Sequence, residues 1–450
     1  MVSKMQNITI SHNHSLISEQ DFSEQKQHIT HEINEMIRAT HHGYEDDRAS
    51  INLPFDEVLL DTIKKCIEEK KSLNISYIVV VGIGGSNLGT IAIQESLLGK
   101  QYNELNPDIK ILYADTVDSD QMHAILSIIE PVLQNGENVL INAVSKSGGT
   151  TETIANFEVL IKLLQTYKQD YEQYVVVTSD KGSKFWNLAI EKGFSVLEIP
   201  KKIGGRFSVF SPVGLFPLGF IGISLDDLIE GAKNMRDACI HEEVAKNPAA
   251  VSACLIYSHF LKGKNIHDLF LFSTDFESVG KWYRQLMGES LGKEYDRTKN
   301  KIYTGITPTV SIGSTDLHSM AQLYLGGPYD KFTTFIRVKH KQEVIIPDFP
   351  EYEMLAPHIQ NRPLTDIMDA ILEGVQKAFV QSNRPFMECI LHEKSAYYLG
   401  EFLQLKMMEM MYLGYLMNVN PFDQPNVESY KVETKKILEE KSDCIKRYSV

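Results

Sequence analysis

After a polar opening of about 50 residues, the chain alternates short continuous apolar runs with longer stretches in which apolar side chains recur every three or four positions. YIVVVG (77–82), IKILYAD (109–115), NVLINAVS (138–145), QYVVVTSD (173–180) and FSVLEIP (194–200) are short, rich in β-branched residues and bounded by turn formers, which predicts strands. Between two of them, TIANFEVLIKLLQTY sets Ile154, Phe157, Ile161 and Leu164 on one face of a predicted helix. Strands that are apolar on both faces and separated by helices predict a parallel sheet covered on both sides. HDLFLFST (267–274), TPTVSIGS (307–314) and DKFTTFIRV (330–338), with helices over 277–288 and after His318, repeat the pattern. The expected fold is therefore α/β, with three-layer α/β/α sandwich domains at 51–235 and 236–395 and mainly parallel sheets. An N-terminal arm with helical pieces (1–50) and a C-terminal helical segment (396–450) complete the expected organisation.

With 43% hydrophobic and 23% charged residues over 450 positions, the chain has the balance of a soluble globular protein able to bury a large core. Its 45 basic and 59 acidic residues give a formal charge of −14, which disfavours nucleic acid and anionic membranes as partners. An anionic ligand must then be captured by a local site. Five scattered cysteines without a CxxC pair fit free thiols, and the N-terminus has no apolar core of a signal peptide, so a cytoplasmic protein is expected. The uncharged segment 207–225 is long enough to span a bilayer, but Pro212, Pro217 and three glycines would interrupt it, and a buried loop with a short helix is expected instead. The Met-rich run LGEFLQLKMMEMMYLGYLM reads as core packing. No metal is expected: His12, His14, His41 and His42 lack zinc-ligand spacing, and Asp115, Asp118 and Asp120 lack the rest of a calcium loop.

Two strand exits share a design that could hold a phosphate. GIGGSN supplies Gly82, Gly84, Gly85 and Ser86, and SKSGGTTET supplies Ser145, Lys146, Ser147, Thr150, Thr151 and Thr153. In each, glycines let backbone N–H groups approach a ligand, and a helix N-terminus follows at the carboxyl edge of a parallel sheet. Neither matches a dinucleotide fingerprint or a P-loop. Three or four charge-assisted hydrogen bonds from such hydroxyls would contribute on the order of 5–10 kcal/mol before entropic losses, enough for a small phosphomonoester. Further along, Arg206 sits in GGRFS, and Gln285 and Glu289 stand one helical turn apart in QLMGESLGK. His318 follows Asp316 in TDLHS, and Gln424 and Lys431 lie in NPFDQPNVESYK. Taken one at a time, each of these residue types is more often a solvated surface group than a functional one.

Taken in order, GIGGS, SKSGGTTET, GGRFS, QLMGESLGK, TDLHS and NPFDQPNVESYK resemble the glucose-6-phosphate isomerase family over nearly the whole chain from about residue 50. The resemblance implies two sugar-isomerase (SIS) domains. It implies a substrate phosphate held by Ser86, Ser145, Ser147 and Thr150, with Gly85, Gln285, Gln424 and, less directly, Lys146 nearby. Glu289 would be the base that moves a proton between carbons 2 and 1 through a cis-enediol, and Arg206 would stabilise the charge of that intermediate. His318 and Lys431 are both candidates for the acid that opens the sugar ring. The resemblance further implies no cofactor, no metal, and a homodimer in which His318 completes the neighbouring subunit's site. Ser147 stands where many relatives carry threonine, which keeps the hydroxyl. Two rivals remain: an SIS regulator that binds a phosphosugar without turnover, or an isomerase of a related phosphosugar such as mannose 6-phosphate. The polar stretch 293–305 is expected to be a surface excursion clear of the motif residues.

Overall fold

The strands fall where the apolar runs predict them. In a computed structural model, which describes residues 8–340 and 342–448 and side chains as far as 441, the chain forms β1 (Thr9–Ser11), β2 (Ile75–Val81), β3 (Lys110–Ala114), β4 (Asn138–Val144), β5 (Val175–Ser179) and β6 (Ser195–Glu198). There follow β7 (Ile266–Leu271), β8 (Lys293–Tyr295), β9 (Lys301–Thr304), β10 (Thr307–Ile312), β11 (Lys331–Val338) and β12 (Phe386–Leu391). The fold is α/β with mainly parallel sheets. One sheet has the order β3-β2-β4-β5-β6 and is parallel throughout. The other runs β1-β12-β11-β7-β10, parallel except where β1 pairs antiparallel with β12. In the first sheet β2 lies between β3 and β4, and in the second β7 lies between β10 and β11, so the order reverses at β2/β4 and again at β7/β11.

The central strands are apolar because both faces are covered: Ile78, Val79, Val80 and Val81 of β2 are wholly inaccessible to solvent. The helix Ala396–Leu416 is buried nearly all round and packs on the helices Leu225–Ala238, Pro248–Leu261 and Glu277–Leu291. Its methionines and leucines join one core that reaches from Val79 in the first sheet to Leu269 and Ile336 in the second. The run 207–225 is likewise interior, forming the buried helix Pro212–Phe220 with proline in its first turn. No helix among the described residues is long and apolar enough to cross a membrane.

Several elements add to the sequence expectation. The opening arm contains a 21-residue helix, Glu19–Ala39, capped by Ser18 and buried through Phe22, Ile29, Ile33 and Met36, so it is part of the packed body. Strands β1 and β12 are added to the second sheet, and the polar stretch 293–305 holds the antiparallel pair β8/β9. Cys66, Cys239, Cys254 and Cys389 are free and buried; the side chain of Cys444 lies outside the described residues.

Candidate active site

Because β2 and β4 are neighbours whose onward connections leave in opposite directions, a crevice opens beyond their carboxyl ends. Both hydroxyl-rich loops lie there. Residues 82–87 turn out of β2 into the helix Leu88–Leu98, and residues 145–150 turn out of β4 into the helix Thr151–Tyr167, so two helix N-termini face the same space. Ser145 is buried, with its Oγ 3.1 Å from Thr150 Oγ1; Ser86, Lys146 and Thr150 are partly buried and Ser147 is exposed. The second loop is held from below, where Ser179 Oγ donates to the Ser145 carbonyl (2.7 Å) and the Asp180 N–H to the Lys146 carbonyl (3.2 Å). Gly148 takes φ +67°, and a Cβ there would also approach Ser183 Oγ to 2.7 Å. Burial lowers the pKa of the Lys146 ammonium, with Asp180 opposing.

The first loop rests directly on the GGRFS turn. A Cβ on Gly85 would overlap the Gly205 carbonyl, so glycine is what lets the two backbones touch. Arg206, at the end of that contact, is 1% exposed. Its Nε donates to Ser290 Oγ (2.9 Å), Nη1 to Glu289 Oε2 (3.1 Å) and Gln424 Oε1 (2.8 Å), and Nη2 to the carbonyls of Pro421 and Asp423. Burial lowers the guanidinium pKa while Glu289 raises it, and an arginine so paired keeps its charge. One turn before Glu289 on the helix Glu277–Leu291, Gln285 Nε2 donates to Glu289 Oε1 (3.1 Å). Each carboxylate oxygen of Glu289 thus accepts one hydrogen bond, and its side chain is 31% exposed. Gln285 Oε1 is buried and unpaired, as are both amide atoms of Asn87 beside Ser86.

Arg206, Gln285, Glu289 and Gln424 are therefore joined in one hydrogen-bonded cluster, beside the loop that carries Gly85 and Ser86. Two other predicted residues stand apart. His318 caps the short turn Thr315–Leu317 beyond β10, is exposed, and makes no side-chain hydrogen bond among the described residues. Asp316 does not orient it: its carboxylate accepts from the Ile312 N–H (2.7 Å) and Ser319 Oγ (2.8 Å). Lys431, in the C-terminal helix Glu428–Tyr448, donates to Glu428 Oε1 (2.8 Å) in an exposed pair.

A family model described as phosphoglucose isomerase matches residues 67–449, which takes in every element of this cluster. The chain belongs to the phosphoglucose isomerase family. It is 33% identical over 395 residues to the glucose-6-phosphate isomerase of Carboxydothermus hydrogenoformans, covering 86% of this chain and 83% of that one. A probable glucose-6-phosphate isomerase of Methanococcus maripaludis is 34% identical, over 83% of this chain and 81% of its own. Among solved structures, a hypothetical protein from Thermus thermophilus superposes with a TM-score of 0.83 at 29% identity, over 96% of this chain and 99% of that one. A glucose-6-phosphate isomerase from Chlamydia trachomatis shares the fold, with a TM-score of 0.82 at 20% identity, over 98% of this chain and 90% of the other.

In this member of the family the cluster extends beyond the expected site residues. Ser290 holds Arg206 Nε, and Lys293 donates to the carbonyl of Glu289 (2.8 Å) and to that of Asp423. The expectation that 293–305 stays clear of the motif residues is therefore corrected: its first residue is 7% exposed and bonded to two of the segments that build the cluster. The signal available in the sequence was the i, i+4 spacing of Lys293 from Glu289 at a helix end, where a cation meets free carbonyls.

Proposed function

We propose that this chain interconverts glucose 6-phosphate and fructose 6-phosphate by proton transfer through a cis-enediol. The observation that carries the reading is the clamp on Glu289, with Arg206 on one carboxylate oxygen and Gln285 on the other. Two donors fix the carboxylate in place, and held within reach of carbon 2 it takes that carbon's proton and returns it to carbon 1. One oxygen must leave its donor as it takes the proton. Arg206 Nη1 is then free to face the charge that develops on the enediol oxygens, in a position that needs no reorganisation because the guanidinium is buried and anchored on four other acceptors. The phosphate sits in the crevice against Ser86, Ser145, Ser147 and Thr150, with Gly85, Lys146, Gln285 and Gln424 around it. Its two negative charges meet two helix N-termini and the Lys146 ammonium.

Ring opening needs an acid, for which His318 and Lys431 are the candidates. Neither touches the Glu289 cluster within one chain, which supports a homodimer with His318 reaching the neighbouring subunit's crevice. We read 51–235 and 236–395 as the two SIS domains, flanked by 1–50 and 396–450, and a cytoplasmic location from the free cysteines and the absence of a spanning helix among the described residues. A coupled assay that supplies fructose 6-phosphate and records glucose 6-phosphate formation tests the reading. Turnover is expected without added cofactor. A protein that binds the phosphosugar with no turnover would be a sensor instead.

A further inference from the structure

The cluster contains a second buried cation that the proposed chemistry does not use. The Lys293 side chain is 5% exposed, and its ammonium faces three oxygens: the carbonyl of Glu289 at 2.8 Å, the carbonyl of Asp423, and Asp423 Oδ1 at 3.1 Å. Three donors thus meet three acceptors, which satisfies the ammonium. The acceptors are not arbitrary. Glu289 lies in the last turn of the helix Glu277–Leu291, where carbonyls have no partner further along the helix, and it carries the base itself. The Asp423 carbonyl also accepts Arg206 Nη2 (3.2 Å), so one oxygen bridges the two buried cations, and the next residue, Gln424, accepts Arg206 Nη1. Burial lowers the lysine pKa, with Asp423 opposing.

We propose that Lys293 is a positioning residue for the isomerisation: by tying the end of the Glu289 helix to the 421–424 loop, it fixes the spacing of Glu289, Arg206 and Gln424. This rests on the function proposed above. Without the ammonium, the 421–424 loop keeps its bonds to Arg206, the contact of Phe422 with Phe207 and local bonds to Asn420 and Val427, but loses its tie to the Glu289 helix, and the guanidinium follows the loop away from the base. Catalysis is sensitive to such shifts, since a displacement near 1 Å costs about 100-fold in rate. Phosphate binding depends mainly on the hydroxyls and helix N-termini beyond β2 and β4, which Lys293 does not touch; of the residues around the phosphate, Gln424 alone lies on the loop that Lys293 ties.

The test replaces Lys293 by Met, of similar length and without charge. Turnover is measured alongside binding of two probes: a hexitol 6-phosphate, which offers phosphate and hydroxyls only, and a five-carbon aldonate 5-phosphate, whose carboxylate carries charge where the enediolate would. Expected in Lys293→Met are a kcat about tenfold or more below wild type, a KM and a hexitol phosphate Kd each within about threefold, and an aldonate phosphate Kd weakened about tenfold. A kcat within twofold of wild type, or equal weakening of both probes, overturns the proposal. If Lys293→Met does not fold, Asp423→Ala decides: it removes one of the three acceptors and leaves both carbonyls, and the same split at about threefold is expected, whereas no split overturns the proposal. Absence of turnover in the wild type would instead sink the functional reading, and this inference with it.

Discussion

Arg206 has no spare donor. All five of its N–H groups are engaged, on Ser290, Glu289, Gln424, Pro421 and Asp423, so an enediolate can reach it only by replacing one of these acceptors. In the proposed reaction Glu289 is the acceptor that changes charge, and releasing it would couple proton capture to stabilisation of the intermediate. Arg206→Lys keeps the charge but has three donors on a flexible stem, so kcat is expected to fall about 100-fold or more with a smaller change in KM, read from steady-state assays. Glu289→Gln keeps the shape and an acceptor for Arg206 but cannot take a proton. Exchange of the carbon 2 hydrogen with solvent, followed by NMR in deuterated water, should drop by about 100- to 10,000-fold while sugar-phosphate binding stays near wild type. Retained exchange would remove Glu289 as the base. Residues one turn apart, such as Gln285 and Glu289, and an arginine directly after paired glycines were legible in the sequence, because local spacing and local flexibility mark them. Ser290 was not, since its role depends on where the distant Arg206 comes to lie, and Lys293 only in part: its spacing from Glu289 is local, but its second tie needs the distant 421–424 loop.

Helix Ala396–Leu416 sets how the rest of the body is held together. It crosses Leu225–Ala238 at a pair of glycines: a Cβ on Gly231 would overlap the Tyr397 carbonyl, and one on Gly400 would overlap the Leu228 carbonyl. Gly231→Ala is therefore expected to force the helices apart, at about 2–3 kcal/mol, visible as a fall of several degrees in Tm. An unchanged Tm would mean that the crossing is not tight. On the same helix, Glu401 is inaccessible to solvent and accepts from the Ile8 N–H (3.0 Å) and Asn234 Nδ2 (2.6 Å), and burial pushes its pKa up to about 7 from 4.5. The folded chain thus holds this proton where the unfolded chain has lost it. Its contribution to stability is full below about pH 4.5 and is lost as pH rises through about 7, by about 3 kcal/mol at most. Glu401→Gln should flatten the decline of Tm between pH 5 and 8, and an unchanged slope would exclude Glu401 as its source. Strands with long apolar runs were readable in advance because burial on both faces leaves an unmistakable pattern. The three-residue β1 is too short to carry a period, and β12 follows a proline-containing turn with a mixed sequence, so pairing rather than propensity makes them strands.

Across the whole molecule, four parallel strands of each sheet share one order, and the loops GIGGSN and SKSGGTTET lie at the reversal point of the first. The second sheet carries His318 instead, at the carboxyl end of β10, exposed and without a partner among the described residues. A single chain therefore assembles the Glu289 carboxylate, the Arg206 guanidinium and two side-chain amides but leaves His318 exposed. In a two-fold dimer each crevice would take its histidine from the other copy. Subunit mixing distinguishes this from a histidine acting in its own chain. Glu289→Gln and His318→Ala are each expected to be nearly inactive as pure dimers. When the two are mixed, dissociated and reassembled at equal amounts, about half of the dimers are hybrids. In each hybrid, one crevice pairs an intact Glu289 with the intact His318 of the Glu289→Gln subunit, while the other carries both defects. Activity should then rise to about a quarter of wild type, all of it from that one crevice. If His318 serves its own chain, every crevice in a hybrid keeps a single defect and the mixture stays as inactive as its components.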